Sequence, residues 1–221
     1  MVLLIHHTIS PFARKIRVQM SEKKMLFVLK SEEPWRLSPD VSKLNPAGEL
    51  PIYLNDGKII VGHYAISEYL EETDTNIPLL FGTPEQRAEI RRMMDWFDNK
   101  FYREVYRNIV WEKIYKRFAY GQAPDSVALR AGLNNLGFHF EYIEWLLEKH
   151  NFLCGEEISL ADITAAAHIS IIDYLGDVPW DAFPSSKLWY SKIKSRPSFK
   201  DILHDTVSGI IPARNYTNLD F

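Results

Sequence analysis

A chain of 221 residues with 46% hydrophobic side chains can bury one large core or two smaller ones. Its formal net charge of −3 offers no electrostatic footprint for nucleic acid, and its single cysteine, Cys154, excludes an internal disulfide and suits a reducing compartment. No stretch reaches the roughly 18 to 20 apolar residues of a membrane span. Residues 1–5 are too short for the apolar core of a secretion signal, so a folded cytoplasmic protein is expected.

In chain order, residues 2–5 read as an apolar strand, 11 to about 20 as a helix and 26–29 as a second strand, together a βαβ crossover. Ser10 stands at the N-cap of the helix, and Pro11 fills its first turn, where a missing N–H costs nothing. Ile16 and Met20 are expected to face the sheet, with Arg14, Lys15 and Arg17 reaching solvent. Residues 32–39 hold two prolines and no clear period, which predicts a surface loop exposing Trp35. Residues 45–72 then state a hairpin and a helix without a gap. Pro51 opens the strand Ile52-Tyr53-Leu54, Asn55-Asp56-Gly57 supplies positive φ for a tight turn, and Ile59-Ile60-Val61 returns. After Gly62, Tyr64, Ile66, Tyr69 and Leu70 recur at helical spacing. The order βαβ then ββα is thioredoxin-like, and this domain is expected over residues 1–75.

Beyond a polar boundary near residues 73–78, everything reads helical. Thr83-Pro84-Glu85-Gln86 starts a helix expected to run to about Asn108, whose Met93, Met94 and Phe97 suit either a core or an interface. A second long helix begins near Ser126 and carries Leu129, Leu133, Leu136, Phe140 and Ile143 at near-heptad spacing, implying an antiparallel pair. Ser159-Leu160-Ala161-Asp162 is a capping box, with Asp162 in place of Glu or Gln and Ile158 as hydrophobic staple. Short helices follow around Trp189 and after Pro197. The helical domain is expected over residues 83–204 and a tail over 205–221.

Several of these motifs resemble those of the glutathione transferases. Asn45-Pro46-Ala47-Gly48 through Pro51, the hairpin and the Ala65-Ile66 helix start follow that family's N-P-x-G-x-[VL]-P-x-L and E-S-x-A-I pattern. The S-x-A-D element at Ser159 and the R-P-S-F turn at Arg196 are similar to second-domain motifs of the same fold. The resemblance implies an α/β thioredoxin-like N-terminal domain plus an all-α C-terminal helical domain, a homodimer, and glutathione as a substrate with no resident cofactor. It further implies a cis peptide before Pro51, so that the Leu50 backbone meets the cysteinyl group of glutathione. The pair that would hold the γ-glutamyl end falls at Gly62 and His63, where a carboxylate and a hydroxyl are both replaced. Leu50, Pro51, Gly62 and His63 are therefore ligand-binding residues only if glutathione binds.

Ser10-Pro11-Phe12-Ala13-Arg14 resembles the S-P-[FY]-x-R pattern of bacterial transferases, whose hydroxyl at this place activates the glutathione thiol. A hydroxyl donor and the positive end of a helix both favour a thiolate, although capping alone also explains a serine here. Ser10 is catalytic only if the protein is a transferase. His6, His7, His63 and His168 lack metal-ligand spacing, because neighbours on a strand point to opposite faces, and no metal site is expected.

The ending, with Tyr216, Leu219, Asp220 and Phe221, mixes apolar and acidic residues and suits docking on its own domain or on a partner. With His6-His7, the Glu33-Pro34-Trp35 loop and the altered glutathione motif, it resembles an alphaproteobacterial branch of the fold that binds the tubulin-like division protein FtsZ and supports constriction. That resemblance implies FtsZ filaments as partner, a cytoplasmic location at the division site, and weak or absent transferase activity. Trp35, Tyr216, Leu219, Asp220 and Phe221 are the contact residues expected, since aromatic anchors often dominate binding energy. The alternative is a glutathione S-transferase that conjugates glutathione to an electrophile with Ser10 as thiolate stabiliser.

Overall fold

In the computed structural model, which describes residues 1–219, the alternating apolar runs of the N-terminal third become four strands, β1 (Val2–His6), β2 (Phe27–Ser31), β3 (Ile52–Asn55) and β4 (Lys58–Val61). Their order is β2-β1-β3-β4, with β2 parallel to β1 and the other pairings antiparallel. Leu4 lies opposite both Leu29 and Tyr53, and Tyr53 opposite Ile60, so alternate residues form rows across the sheet. The face holding Val2, Leu4 and Tyr53 packs on Ile16 and Met20 of α1 (Pro11–Glu22). The opposite face packs Ile5 and Ile52 on Val41 of α2 (Pro39–Leu44). Ile66 and Leu70 of α3 (His63–Thr73) complete the first of these clusters. The hairpin turns at Asp56 (φ 48) and Gly57 (φ 79), as the Asn-Asp-Gly signal requires.

Two compact units result. Met1–Leu79 joins Pro197–Ile210, and Leu80–Arg196 joins the described tail from Ile211. The helix after Pro197 therefore departs from the expected 83–204 domain and completes the first unit. Arg14, Lys15 and Arg17 depart as well: instead of reaching solvent they are buried. For Arg14 and Arg17 the cause is the returning segment. Asp205 accepts two hydrogen bonds from Arg17 Nη1, at 2.7 and 3.0 Å, and lies 3.4 Å from Arg14 Nη2. A buried guanidinium needs such a partner, and this one comes from the far end of the chain.

The second unit begins with α4, a continuous helical stretch from Pro84 to Tyr120. It is α-helical over Pro84–Asp95, π-helical over Trp96–Tyr106 and Trp111–Tyr115, and α-helical between and after these. It runs past the expected end near Asn108 because no helix breaker intervenes before Gly121, which takes the left-handed conformation (φ 63) at the C-cap. Antiparallel to it lies α5 (Ser126–Leu147): Asn135 Nδ2 donates to Glu104 O at 3.1 Å, and Arg92 Nη2 to Tyr142 Oη at 2.9 Å. Met93, Met94 and Phe97 are buried and belong to the core. The capping box forms as expected and opens α6 (Leu160–Tyr174), every residue of which is buried. The Asp162 carboxylate accepts from Ser159 N (2.9 Å), Leu153 N (2.9 Å) and Trp189 Nε1 (3.0 Å), which ties α6 to α7 (Pro184–Lys194). The short α8 (Pro197–Leu203) of the first unit buries Phe199 and Ile202. Among the described residues, no helix is long and apolar enough to cross a membrane.

Candidate ligand site and contact residues

Ser10 caps α1 from an extended backbone (φ −80, ψ 118), its Oγ accepting the Ala13 N–H at 3.2 Å. The loop before it is drawn tight by the Ser10 N–H donating to His7 O (3.0 Å) and Arg14 Nε donating to Thr8 O (2.9 Å). The Leu50–Pro51 peptide is cis, with Pro51 buried at the entry to β3. Asn45 shapes the turn upstream, its Nδ2 donating to Glu49 O (2.9 Å) and its Oδ1 accepting from Ala47 N (3.1 Å). Gly62, at the N-cap of α3, lies at φ 87 and ψ 121, a backbone that residues with a Cβ rarely adopt.

His63 is not a loose replacement for a hydroxyl. Its ring stacks on Phe12 of α1, with centroids 4.2 Å apart and planes at 16°. Its Nδ1 lies 3.0 Å from Lys15 Nζ. An ammonium only donates, so Nδ1 is the accepting nitrogen. The structure thus gathers His63, Phe12 and Lys15 behind the capping serine. That Lys15 and Phe12 meet His63 was not legible in the sequence, because no local pattern links them to a residue in α3.

Further groups cluster at the end of β1. Burial, then the positive charge of Arg17, lowers the pKa of His6 to about 4, with Asp205 pulling the other way. Burial, then Arg14, likewise lowers that of His7 to about 4. Trp35 meets His7 edge to face, with ring centroids 5.2 Å apart and planes at 80°, and this contact leaves it half-buried instead of fully exposed.

The tail is held by the second unit. Tyr216 is 1% exposed and packs edge-on against Tyr174, with centroids 5.0 Å apart. The Ala213 N–H donates to Tyr174 O at 2.8 Å, and the buried Lys194 ammonium donates to Asn215 O at 3.3 Å. Tyr216, expected as a contact for a partner, therefore turns inward, because its ring finds an aromatic pocket in its own domain. Leu219 is half-buried, whereas Asp220 and Phe221 lie outside the described residues. Among the described residues, no three His, Cys, Asp or Glu side chains converge as a metal ion would need. His168 instead pairs its Nε2 with Asp98 Oδ1 at 3.1 Å inside the helical core.

Residues 9–73 match the family of glutathione S-transferase N-terminal domains, and residues 115–197 that of the C-terminal domains. The chain is 44% identical over 222 residues to FtsZ-localized protein A of Caulobacter vibrioides, across 99% of this chain and 97% of that protein. Its structure superposes on that of FzlA from C. crescentus with a TM-score of 0.96 and 43% identity, covering 100% of this chain and 99% of the other. A glutathione S-transferase from Rhodospirillum rubrum F11 superposes with a TM-score of 0.97 and 46% identity, each chain covered completely.

Proposed function

The chain belongs to the glutathione S-transferase family, and from that premise we propose that it is a transferase-fold scaffold that binds FtsZ filaments and supports cell constriction, acting as a cytoplasmic homodimer at the division site. The observation that carries this reading is the full-length likeness to FtsZ-localized protein A. The first unit supports its non-enzymatic half. Gly62 offers no carboxylate to a ligand ammonium, and His63 is already engaged by Phe12 and Lys15. Trp35 and Leu219, both half-buried, keep surface for a partner, and Asp220 and Phe221 are proposed contacts on their residue types.

A second reading keeps one specific observation on its side. Ser10 at a helix N-terminus and the cis Leu50–Pro51 peptide are the parts with which a transferase would stabilise a thiolate and meet the cysteinyl backbone. In that reading Ser10 is the catalytic hydroxyl and glutathione the substrate. Co-sedimentation with GTP-assembled FtsZ, run beside a glutathione conjugation assay with an aryl halide, separates the two. The scaffold reading expects the protein in the filament pellet and no turnover. A protein that stays in the supernatant and loses measurable turnover on Ser10→Ala is an enzyme.

A further inference from the structure

A cavity of about 470 Å³ opens in the second unit between residues 176–182, which follow α6, and the tail strap of residues 213–216. That volume lies in the range of roughly 300 to 1,000 Å³ typical of ligand sites. Val178, Pro179 and Trp180 line it from the segment after α6, Tyr216 lines it from the strap, and Asp173 of α6 also belongs to the lining. The walls are fixed. Trp180 Nε1 donates to Asp173 Oδ1 at 2.9 Å, and its indole stacks on Tyr190 with centroids 4.8 Å apart and planes at 19°. The strap is held by its backbone bond to Tyr174 and by Lys194.

Charge decides what such a cavity would accept. Among the described residues two carboxylates line it, and each already faces an ammonium: Asp173 lies 3.3 Å from Lys194, and Asp181 lies 3.7 Å from Lys187. Among the described lining residues, Arg214, exposed on the strap, is the cation outside these two pairs. A guanidinium beside aromatic and aliphatic walls complements a segment that carries a carboxylate next to an apolar side chain. A small inorganic anion would leave the walls unused, and a purely apolar ligand would leave the guanidinium unmatched.

We propose that this cavity is a docking site for a short acidic-apolar peptide segment, whose apolar side chain enters between Trp180 and the strap and whose carboxylate meets Arg214. The site lies wholly within the helical unit and does not depend on which protein supplies the segment. Because the strap forms one wall, an occupied site also fastens the proximal tail.

The test is fluorescence polarisation with a labelled acetyl-Asp-Phe-Asp-Leu-amide peptide, titrated with the full-length protein. Two variants accompany it, Arg214→Glu at the mouth and Ala182→Tyr to fill the cavity from its exposed rim, each checked for native circular dichroism. Saturable binding is expected, weakened by about tenfold or more in both variants and in the Asn-for-Asp peptide. Absence of saturation, equal binding of the neutral peptide, or insensitivity to both variants would overturn the proposal. So would benzoate competing at the peptide's own concentration, which would make the cavity a site for small aryl carboxylates.

Discussion

Lys15 Nζ approaches His63 Nδ1 to 3.0 Å across 48 residues of sequence, fastening α1 to the start of α3. The ring that receives this hydrogen bond is also stacked on Phe12, so neither face nor edge of His63 is held by chance. A position that the family resemblance assigns to ligand recognition is thereby spent on an internal contact.

Calorimetry with millimolar glutathione is expected to read no saturable heat for the native chain. Replacing Gly62-His63 by Glu-Ser restores the carboxylate and the hydroxyl and is expected to produce saturable binding. The exchange also places a side chain at φ 87, which costs about 1 kcal/mol of stability although the space around Gly62 is open. Native binding that is weakened by Ser10→Ala would sink this prediction.

Asp162 should be the most sensitive polar position in the helical unit. Its buried carboxylate serves the Ser159, Leu153 and Trp189 donors at once, and burial pushes its pKa up against them. Asp162→Ala strands those donors and is expected to cost on the order of 4 kcal/mol in urea denaturation. A loss below about 1 kcal/mol, the value of an ordinary surface cap, would show that the network is not essential.

Two glycines of α5 should respond in opposite directions. A Cβ on Gly132 would meet Ile109 Cγ1 at 2.7 Å and Asn108 Cβ at 2.8 Å, where α4 passes closest. Gly132→Ala is expected to lose about 1 kcal/mol, the overpacking outweighing the gain in helix propensity. At Gly137 nothing lies within 4 Å, and Ala there is expected to add up to about 1 kcal/mol. Equal shifts in the two denaturation midpoints would contradict the close approach of the helices.

Stability should fall as pH drops from about 6.5 towards about 4. Burial above all lowers the pKa of His6, His7 and His139 to about 4, from an ordinary 6.5. Between those values the unfolded chain binds protons that the folded chain refuses, so stability rises with pH, by at most about 3 kcal/mol per histidine. Asp162 and Asp173, pushed up by burial, work in the opposite direction in acid. Nuclear magnetic resonance of the folded protein at pH ~5 should find all three rings neutral while the melting temperature declines. Charged rings at that pH, or a melting temperature constant down to it, would refute the assignment.

Local chemistry made much of the fold legible. The Asn-Asp-Gly turn, the alternation of Ile52-Tyr53-Leu54, the Ser159–Asp162 capping box and the prolines at helix starts each act within a few residues, and each appears where its chemistry placed it. The site was only half legible. Ser10 and Pro51 announce themselves by position, but the fate of His63 depends on Lys15, and the burial of Arg14 and Arg17 depends on Asp205. Tyr216 and Trp35 show the same limit from another side: composition marks an aromatic as an anchor without telling which surface it anchors to. The long α4 was cut short at Asn108 because its π-helical turns blur the 3.6-residue period that a helix reading follows.

The return of Pro197–Ile210 to the first unit also bears on how the chain comes into being. A ribosome releases the four strands and α1 long before it makes Asp205, and at ~5 to 20 residues per second the interval is on the order of ten seconds. During that time Arg14 and Arg17 lack their carboxylate, and the surface of α1 that α8 will cover stands open. The N-terminal unit is therefore begun first but stays incomplete until Ile210, after all of Leu80–Arg196 has been made, and a fragment ending at Leu79 would reproduce that unfinished state permanently.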